Sequence, residues 1–265
     1  MTPNFNLTHL HYTQLGSTTW CATAQVSETL CLNSEALKTQ ASWLLNAHIP
    51  CVDFGTFKSL NWQHYASPII ISARKIAHNQ RQLQRKGVRS LLKRLLNKLE
   101  ISDTLDESEF PYRLVDSRYY VCFSHTGASN KNDTSRNLNQ GFNGQLNSNV
   151  SVVISHQRPV GIDIENSNIA WRVVQRYYSV NEIAILESLP ITQRDNVAKL
   201  LWQIKESFIK IHQYTLAQGL GKDYTYFMTD LIDSIKEPSC VTIILDPQSQ
   251  YYIAVLPMQQ TVVIF

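Results

Sequence analysis

Two short stretches carry side chains of a type and spacing that chemistry could use. Val160 to Glu165 reads Val-Gly-Ile-Asp-Ile-Glu, and Trp202 to Lys210 reads Trp-Gln-Ile-Lys-Glu-Ser-Phe-Ile-Lys. Together they supply three carboxylates (Asp163, Glu165 and Glu206) and two lysines (Lys205 and Lys210). Alternate residues of a strand share a face, so Asp163 and Glu165 point one way and Ile162 and Ile164 the other. Like charges side by side repel. A divalent cation removes that repulsion, and Mg2+ favours one or two carboxylates completed by phosphate oxygens. On a helix, Glu206 and Lys210 stand four apart and share a face, with Trp202 one turn earlier. Each stretch also has a plain structural reading. The Asp-x-Glu would be a solvated strand face, and Glu206 with Lys210 a surface ion pair worth about 0.2–0.5 kcal/mol.

Other residues join these. Tyr119 to Phe123 is aromatic and β-branched, which predicts a strand, and Ser124-His125-Thr126-Gly127 is read as the turn that ends it. A hydroxyl and an imidazole there can donate to phosphate; a surface histidine is the alternative. A Ser-His nucleophile pair is disfavoured, because neighbours rarely point at each other and no Gly-x-Ser-x-Gly elbow is present. Leu91, Leu92, Leu95, Leu96 and Leu99 recur at helical spacing within Arg74 to Leu99, which predicts a helix. Arg74, Lys75, Arg81, Arg85, Lys86, Arg89, Lys93 and Arg94 make it strongly basic. Most of these charges are expected in solvent, with one or two arginines offering their fork to phosphate. No Gly-x-x-x-x-Gly-Lys loop appears, and Gly219-Leu220-Gly221 lacks the setting of a dinucleotide fingerprint.

The elements that must position these residues follow from the patterning. Strands are predicted at His9 to Leu15 and Thr19 to Val26. A helix is predicted over Ser34 to Ala47, capped by Ser34 with Leu37, Ala41, Leu44 and Leu45 on one face. Val150 to Ser155 and Val160 to Glu165 read as a hairpin turning at Arg158-Pro159. Ala170 to Tyr178, Val180 to Leu189 and Asp195 to Gln213 read as helices, and Ser179 with Glu182 fits a capping box. Ile204, Phe208 and Ile211 face the core from the last of these. Val241 to Leu245, Tyr251 to Leu256 and Thr261 to Phe265 read as strands. Ala128 to Asn149 is rich in Asn, Ser, Gln and Gly and is expected to be a mobile loop. The order predicts an α+β chain of two halves without a visible internal repeat, 1–120 and 121–265, with a seam near 115–122.

Composition narrows the class. With 265 residues, 43% apolar and 17% charged, the chain has room for a large core. A net charge of +3 is too mild for wholesale nucleic-acid binding. No signal peptide is apparent at Met1 to Leu10, and no apolar run reaches membrane-spanning length. Five scattered cysteines without a Cys-x-x-Cys argue against zinc and a disulfide framework. A cytoplasmic protein with reduced thiols is the expectation.

The motifs together resemble the 4'-phosphopantetheinyl transferases of the larger, surfactin-synthetase-activating type. That family carries a Gly-[Ile/Val]-Asp-x-Glu strand, matched by Gly161 to Glu165, and a Trp-x-x-Lys-Glu-[Ser/Ala]-x-x-Lys helix, matched by Trp202 to Lys210. Its intervening Arg-Phe-Phe-Ser-x-x-Glu is similar to Arg176-Tyr177-Tyr178-Ser179-Val180-Asn181-Glu182. Its Ser-His-[Ser/Thr] corresponds to Ser124-His125-Thr126. The resemblance implies a pseudo-twofold pair of α+β subdomains with the active site at their interface. It implies Mg2+ on Asp163, Glu165 and Glu206, with coenzyme A as substrate contacted by Lys210, His125, Ser124 and Asp163. Arg74 and Arg81 are the choices from the basic helix. Glu206, Lys210 and His125 would be the catalytic set, with Glu206 taking the serine proton directly or through water. The partner would be an acyl or peptidyl carrier protein, with Tyr214 to Phe227 as a docking segment, and the protein is expected to be a monomer. The chain departs from the family twice. Ala128 to Asn149 is an insertion, and Glu109-Phe110-Pro111 replaces a Gly-Lys-Pro, leaving Arg113 to supply the positive charge. A metal-dependent phosphohydrolase and an RNA-binding module are the rival readings, and neither accounts for four motifs in order.

Overall fold

The computed structural model describes residues 5–29, 41–44, 63–66, 73–127, 145–236 and 239–265. The first sheet has six antiparallel strands in the order β1-β2-β8-β7-β6-β5. These are β1 (Phe5–Gly16), β2 (Thr19–Thr29), β5 (Leu105–Asp106), β6 (Tyr112–Leu114), β7 (Tyr120–Gly127) and β8 (Gln145–Ser155). Strands β2 and β8 pair from Thr19 opposite Ser155 to Thr29 opposite Gln145. Their alternation splits the side chains cleanly. Ala22, Ala24, Val26, Val150, Val152 and Ile154 face the helix α1 (Ala73–Lys98), which contributes Leu83, Val88, Leu91 and Leu95. Cys21 and Val153 face the other way. At Gly87 a Cβ would sit 3.1 Å from side-chain carbons of Val26 and Val150, so the missing side chain lets α1 lie close to the sheet.

The second sheet has the order β10-β11-β12-β9, formed by β9 (Gly161–Ile164), β10 (Thr242–Leu245), β11 (Tyr252–Leu256) and β12 (Thr261–Ile264). Helices α2 (Trp171–Tyr177), α3 (Val180–Ser188), α4 (Ile191–His212), α5 (Leu216–Leu220) and α6 (Met228–Ser234) belong to this half. The long helix α4 buries Leu201, Ile204, Phe208 and Ile211 against Ile253, Val255, Val262 and Ile264. The opposite sheet face, with Ile162, Ala254, Leu256 and Val263, packs on Cys21, Cys122 and Val153 of the first sheet. Each half is thus one long helix on one antiparallel sheet, and the two sheets share a core. A short pair, β3 (Ala41–Leu44) with β4 (Gln63–Ala66), stands apart from both.

Several expectations change. The helix read over 34–47 gives way at 41–44 to β3, whose register with β4 supplies backbone partners; the rest of that stretch lies outside the described residues. Residues 128–144 of the expected mobile loop also lie outside them, and 145–149 are the start of β8, paired with β2. Strand β7 runs through Ser124, His125 and Thr126 instead of turning there, because β8 continues opposite them to Ser148. Strands β8 and β9 do not form a hairpin: β9 pairs antiparallel with β12, a partner distant in sequence. For the same reason the sheets divide between β8 and β9, whereas residue 120 falls inside the first sheet. The capping box is present. The Ser179 side chain accepts from the Glu182 amide at 3.1 Å, and Glu182 accepts from the Ser179 amide at 2.8 Å. No helix among the described residues is long and apolar enough to cross a membrane.

Candidate active site at the meeting of the two sheets

Five elements converge to line one cleft of about 440 Å³: α1, β6 and β7 from the first half, and β9 at the edge of the second sheet with α4. Gly161 makes the convergence possible. A Cβ there would collide with the Ser207 backbone carbonyl, so α4 can rest directly on β9 only because residue 161 has none. That contact fixes the turn of α4 carrying Glu206 and Lys210 over Asp163. Gln203 adds a second tie, donating to the Asp163 carbonyl at 3.3 Å and to the Gln260 carbonyl at 2.7 Å.

Asp163 is the hub. Its Oδ1 accepts from Ser124 Oγ at 2.8 Å and from Lys210 Nζ at 3.0 Å. Ser124 Oγ in turn accepts from the Ile164 amide at 3.3 Å, so one hydroxyl bridges the two sheets at the carboxylate. Lys210 also donates to the Ile162 carbonyl at 2.7 Å. Burial is the largest single influence on Lys210 and would lower its pKa, but the Asp163 charge, Cys122, the hydrogen bond to Asp163 and Glu206 together outweigh it; the ammonium is held above its ordinary value. Burial pushes Glu206 up from the usual carboxylate range. Lys210 pulls it back, and Asp163 adds to the rise. Loss of solvent in the cleft, together with the Lys210 charge, lowers His125, so its imidazole is neutral at physiological pH.

Of the residues singled out from sequence, Ser124, His125, Asp163, Glu165, Glu206 and Lys210 all line this cleft. The arginines fall differently. Arg85 and Arg89 line it, whereas Arg74 and Arg81, nearer the start of α1, do not. Arg113 does not either: it lies over the Tyr120 ring at 4.3 Å and donates to the Tyr120 hydroxyl. Period two explains this, since Tyr112, its strand neighbour, takes the cleft side. Sequence reasoning missed Tyr112 and Phe123, which with Trp202 and Ile164 make an apolar wall. Alternation carried a signal for Phe123, which stands two residues before His125 on the same strand. In the expected docking stretch Tyr214 to Phe227, Leu220, Tyr224 and Phe227 are buried, and Lys222 is exposed and donates to the Tyr214 hydroxyl at 2.6 Å.

Lys205, without an assigned role from sequence, turns inward. It pairs with Glu182 at 3.0 Å, both side chains fully buried. It also donates to the Leu220 carbonyl at 2.8 Å and to the Lys222 carbonyl, between the rings of Tyr178 and Tyr224.

No group of three acidic, histidine or cysteine side chains among the described residues is close enough to hold a metal. Glu165 is turned aside, its Oε1 accepting from the Ser167 amide at 2.9 Å and from Thr126 Oγ1 at 3.4 Å. Both contacts to Asp163 fall on Oδ1, and no described residue donates to Oδ2. These hard oxygens fit Mg2+ shared between one or two carboxylates and phosphate oxygens. They do not form the three-carboxylate cage implied by Asp163, Glu165 and Glu206 together.

Fold and cleft together define a class: a two-sheet α+β protein whose halves meet at a groove able to combine cationic donors, hard carboxylates and an apolar wall. Residues 159–261 match the family model of the 4'-phosphopantetheinyl transferase superfamily. The match runs from the turn before β9 to the start of β12 and contains Asp163, Glu165, Lys205, Glu206 and Lys210; everything before residue 159 lies outside it. No curated protein matches the chain.

Proposed function

We propose that the protein transfers the 4'-phosphopantetheine arm of coenzyme A to a serine of an apo acyl or peptidyl carrier protein. The reaction is Mg2+-dependent and releases adenosine 3',5'-bisphosphate, as in the surfactin-synthetase-activating transferases. One observation carries the reading. The superfamily match and the cleft coincide on Asp163, Glu206 and Lys210, and the first sheet brings Ser124 and His125 to the same place from outside the match.

The chain's own groups divide the work. The carrier serine Oγ attacks the β-phosphorus of coenzyme A while the bond to the departing nucleotide oxygen breaks. Glu206, lining the cleft beside Lys210, takes the serine proton directly or through a water. Lys210, anchored by Ile162 and Asp163, stays cationic and stabilises charge on the phosphates and the leaving group. Neutral His125 and the Arg85 guanidinium orient phosphate oxygens as hydrogen-bond donors. Tyr112, Phe123 and Trp202 offer apolar surface to the rest of the ligand. Asp163 and Glu206 would hold Mg2+, which when bound neutralises the pyrophosphate and favours in-line attack. Carrier proteins are acidic, and the exposed Lys222 beside Tyr214 would raise their encounter rate.

The test is mass spectrometry of apo acyl and peptidyl carrier proteins incubated with this protein, coenzyme A and Mg2+. A phosphopantetheine mass shift is expected, abolished by Glu206→Gln and by Asp163→Ala. No shift on any carrier type would sink the proposal.

A further inference from the structure

The two arginines lining the cleft differ in one respect. Arg85 is exposed and pairs with no acid among the described residues. Arg89 is forked onto Glu107: its Nε donates to Oε1 at 2.7 Å and its Nη2 to Oε2. The remaining nitrogen, Nη1, donates to the Arg85 carbonyl at 3.0 Å, which ties the guanidinium to its own helix beside the cleft. A guanidinium grips a phosphate with the same parallel pair of donors that it offers a carboxylate. Glu107 therefore occupies the donors a phosphate would need. Both side chains keep contact with water, 44% and 37% exposed, so an exchange of partners requires no opening of the core. Glu107 follows the two-residue strand β5 at the free edge of the first sheet, next to a turn in which the Ser108 amide donates to Asp106. A side chain there can swing away with little disturbance of the backbone.

We propose that Glu107, which sits beside the cleft and not in its lining, is a competitor for the Arg89 that lines it: it neutralises Arg89 until a phosphate displaces it. The residue sets specificity by acting through Arg89. Ligands carrying several phosphate charges displace it; singly charged anions do not. This inference rests on the cleft being the polyphosphate site of the proposed transferase.

Inorganic pyrophosphate is the probe, titrated calorimetrically into the wild type, Glu107→Gln, Arg89→Met and the double variant. An exposed ion pair holds its partner by a factor of about 2 to 5. Glu107→Gln should therefore tighten pyrophosphate binding by about that factor. Arg89→Met should weaken it, and Glu107→Gln should have no effect once Arg89 is gone. In carrier-modification assays Glu107→Gln should lower the KM for coenzyme A and leave kcat unchanged, and Glu107→Asp should restore wild-type values. Unchanged or weaker pyrophosphate binding by Glu107→Gln overturns the proposal, as does an equal gain in the Arg89→Met background or no binding by the wild type. A wild type that binds pyrophosphate with the expected series but never takes coenzyme A would sink the transferase reading and leave Glu107's role standing.

Discussion

Lys205→Met removes one partner from an ion pair sealed in the second half of the molecule. Glu182 and Lys205 are both without solvent contact. In the wild type, Glu182 receives the Lys205 ammonium and the Tyr224 amide on Oε1 and the Ser179 amide on Oε2. Lys205 spends its other two protons on the carbonyls of Leu220 and Lys222. Methionine fills nearly the same volume, so the effect is electrostatic and not a cavity. It leaves a buried carboxylate with two amide donors and no counter-charge, and breaking a buried pair in this way costs roughly 3–5 kcal/mol. The Lys222 carbonyl, next to an exposed side chain, can recover water, so the stranded carbonyls should add at most about 1 kcal/mol. Glu182→Gln should cost less, because the amide oxygen still accepts from one backbone N–H. Urea unfolding followed by circular dichroism, extrapolated linearly, measures each loss. The two changes should couple by about 1–3 kcal/mol in a double-mutant cycle. A loss under about 1 kcal/mol for Lys205→Met, or additivity of the two substitutions, would refute the reasoning.

Gly161→Ala should destabilise by about 3 kcal/mol, the upper end for overpacking because the obstacle is backbone, and should abolish transfer by lifting α4 from β9. Gly127→Ala, with nothing within 4 Å of its Cβ position, is the matched control and should change stability by less than about 0.5 kcal/mol. Arg85→Met should raise the KM for coenzyme A about tenfold, from the loss of one charged hydrogen bond, whereas Arg74→Met and Arg113→Met should leave steady-state kinetics within about twofold. Asp103 gives a pH test. Burial opposes its ionisation, but hydrogen bonds from the Ser117 hydroxyl and the amides of Ser117, Asp116 and Thr104 bring its pKa down from 3.8 to about 2. A depressed carboxylate stabilises the fold fully above its unfolded value, and that contribution disappears as pH falls toward the folded one. Asp103 is only half-buried, so solvent screening cuts its contribution; the wild type should exceed Asp103→Asn by no more than about 1 kcal/mol near neutral pH, and the gap measured by urea unfolding should close as pH approaches 2.

How far the sequence spoke for itself depended on range. Local signals held: the leucine face of α1, the Ser179–Glu182 capping box, and the inward row Ile204, Phe208 and Ile211 all depend on neighbours within a few residues. That Asp163 and Lys210 belong to one site came from motif order; the 3.0 Å contact between them comes from the fold alone. What failed was long-range. Nothing near Arg158-Pro159 says that β9 will seek β12. Nothing in the repeat of arginines along α1 says which turn meets the cleft, so Arg85 and Arg89 could not be told from Arg74 and Arg81. Lys205 was silent for the same reason: its partners come from α3, from the last residue of α5 and from Lys222 just beyond it. The position of Arg113 was equally hidden, because the strand that sets it opposite Tyr112 was not read from the sequence.

The core shared by the two sheets limits how this molecule can be divided. Ile162, Ala254, Leu256 and Val263 press on Cys21, Cys122 and Val153, and the Ser124 hydroxyl crosses the same seam to Asp163. A fragment starting at residue 159 would keep Asp163, Glu206 and Lys210 yet turn a whole apolar sheet face to water. The stretch that family comparison recognises is therefore shorter than the smallest piece that can stand alone.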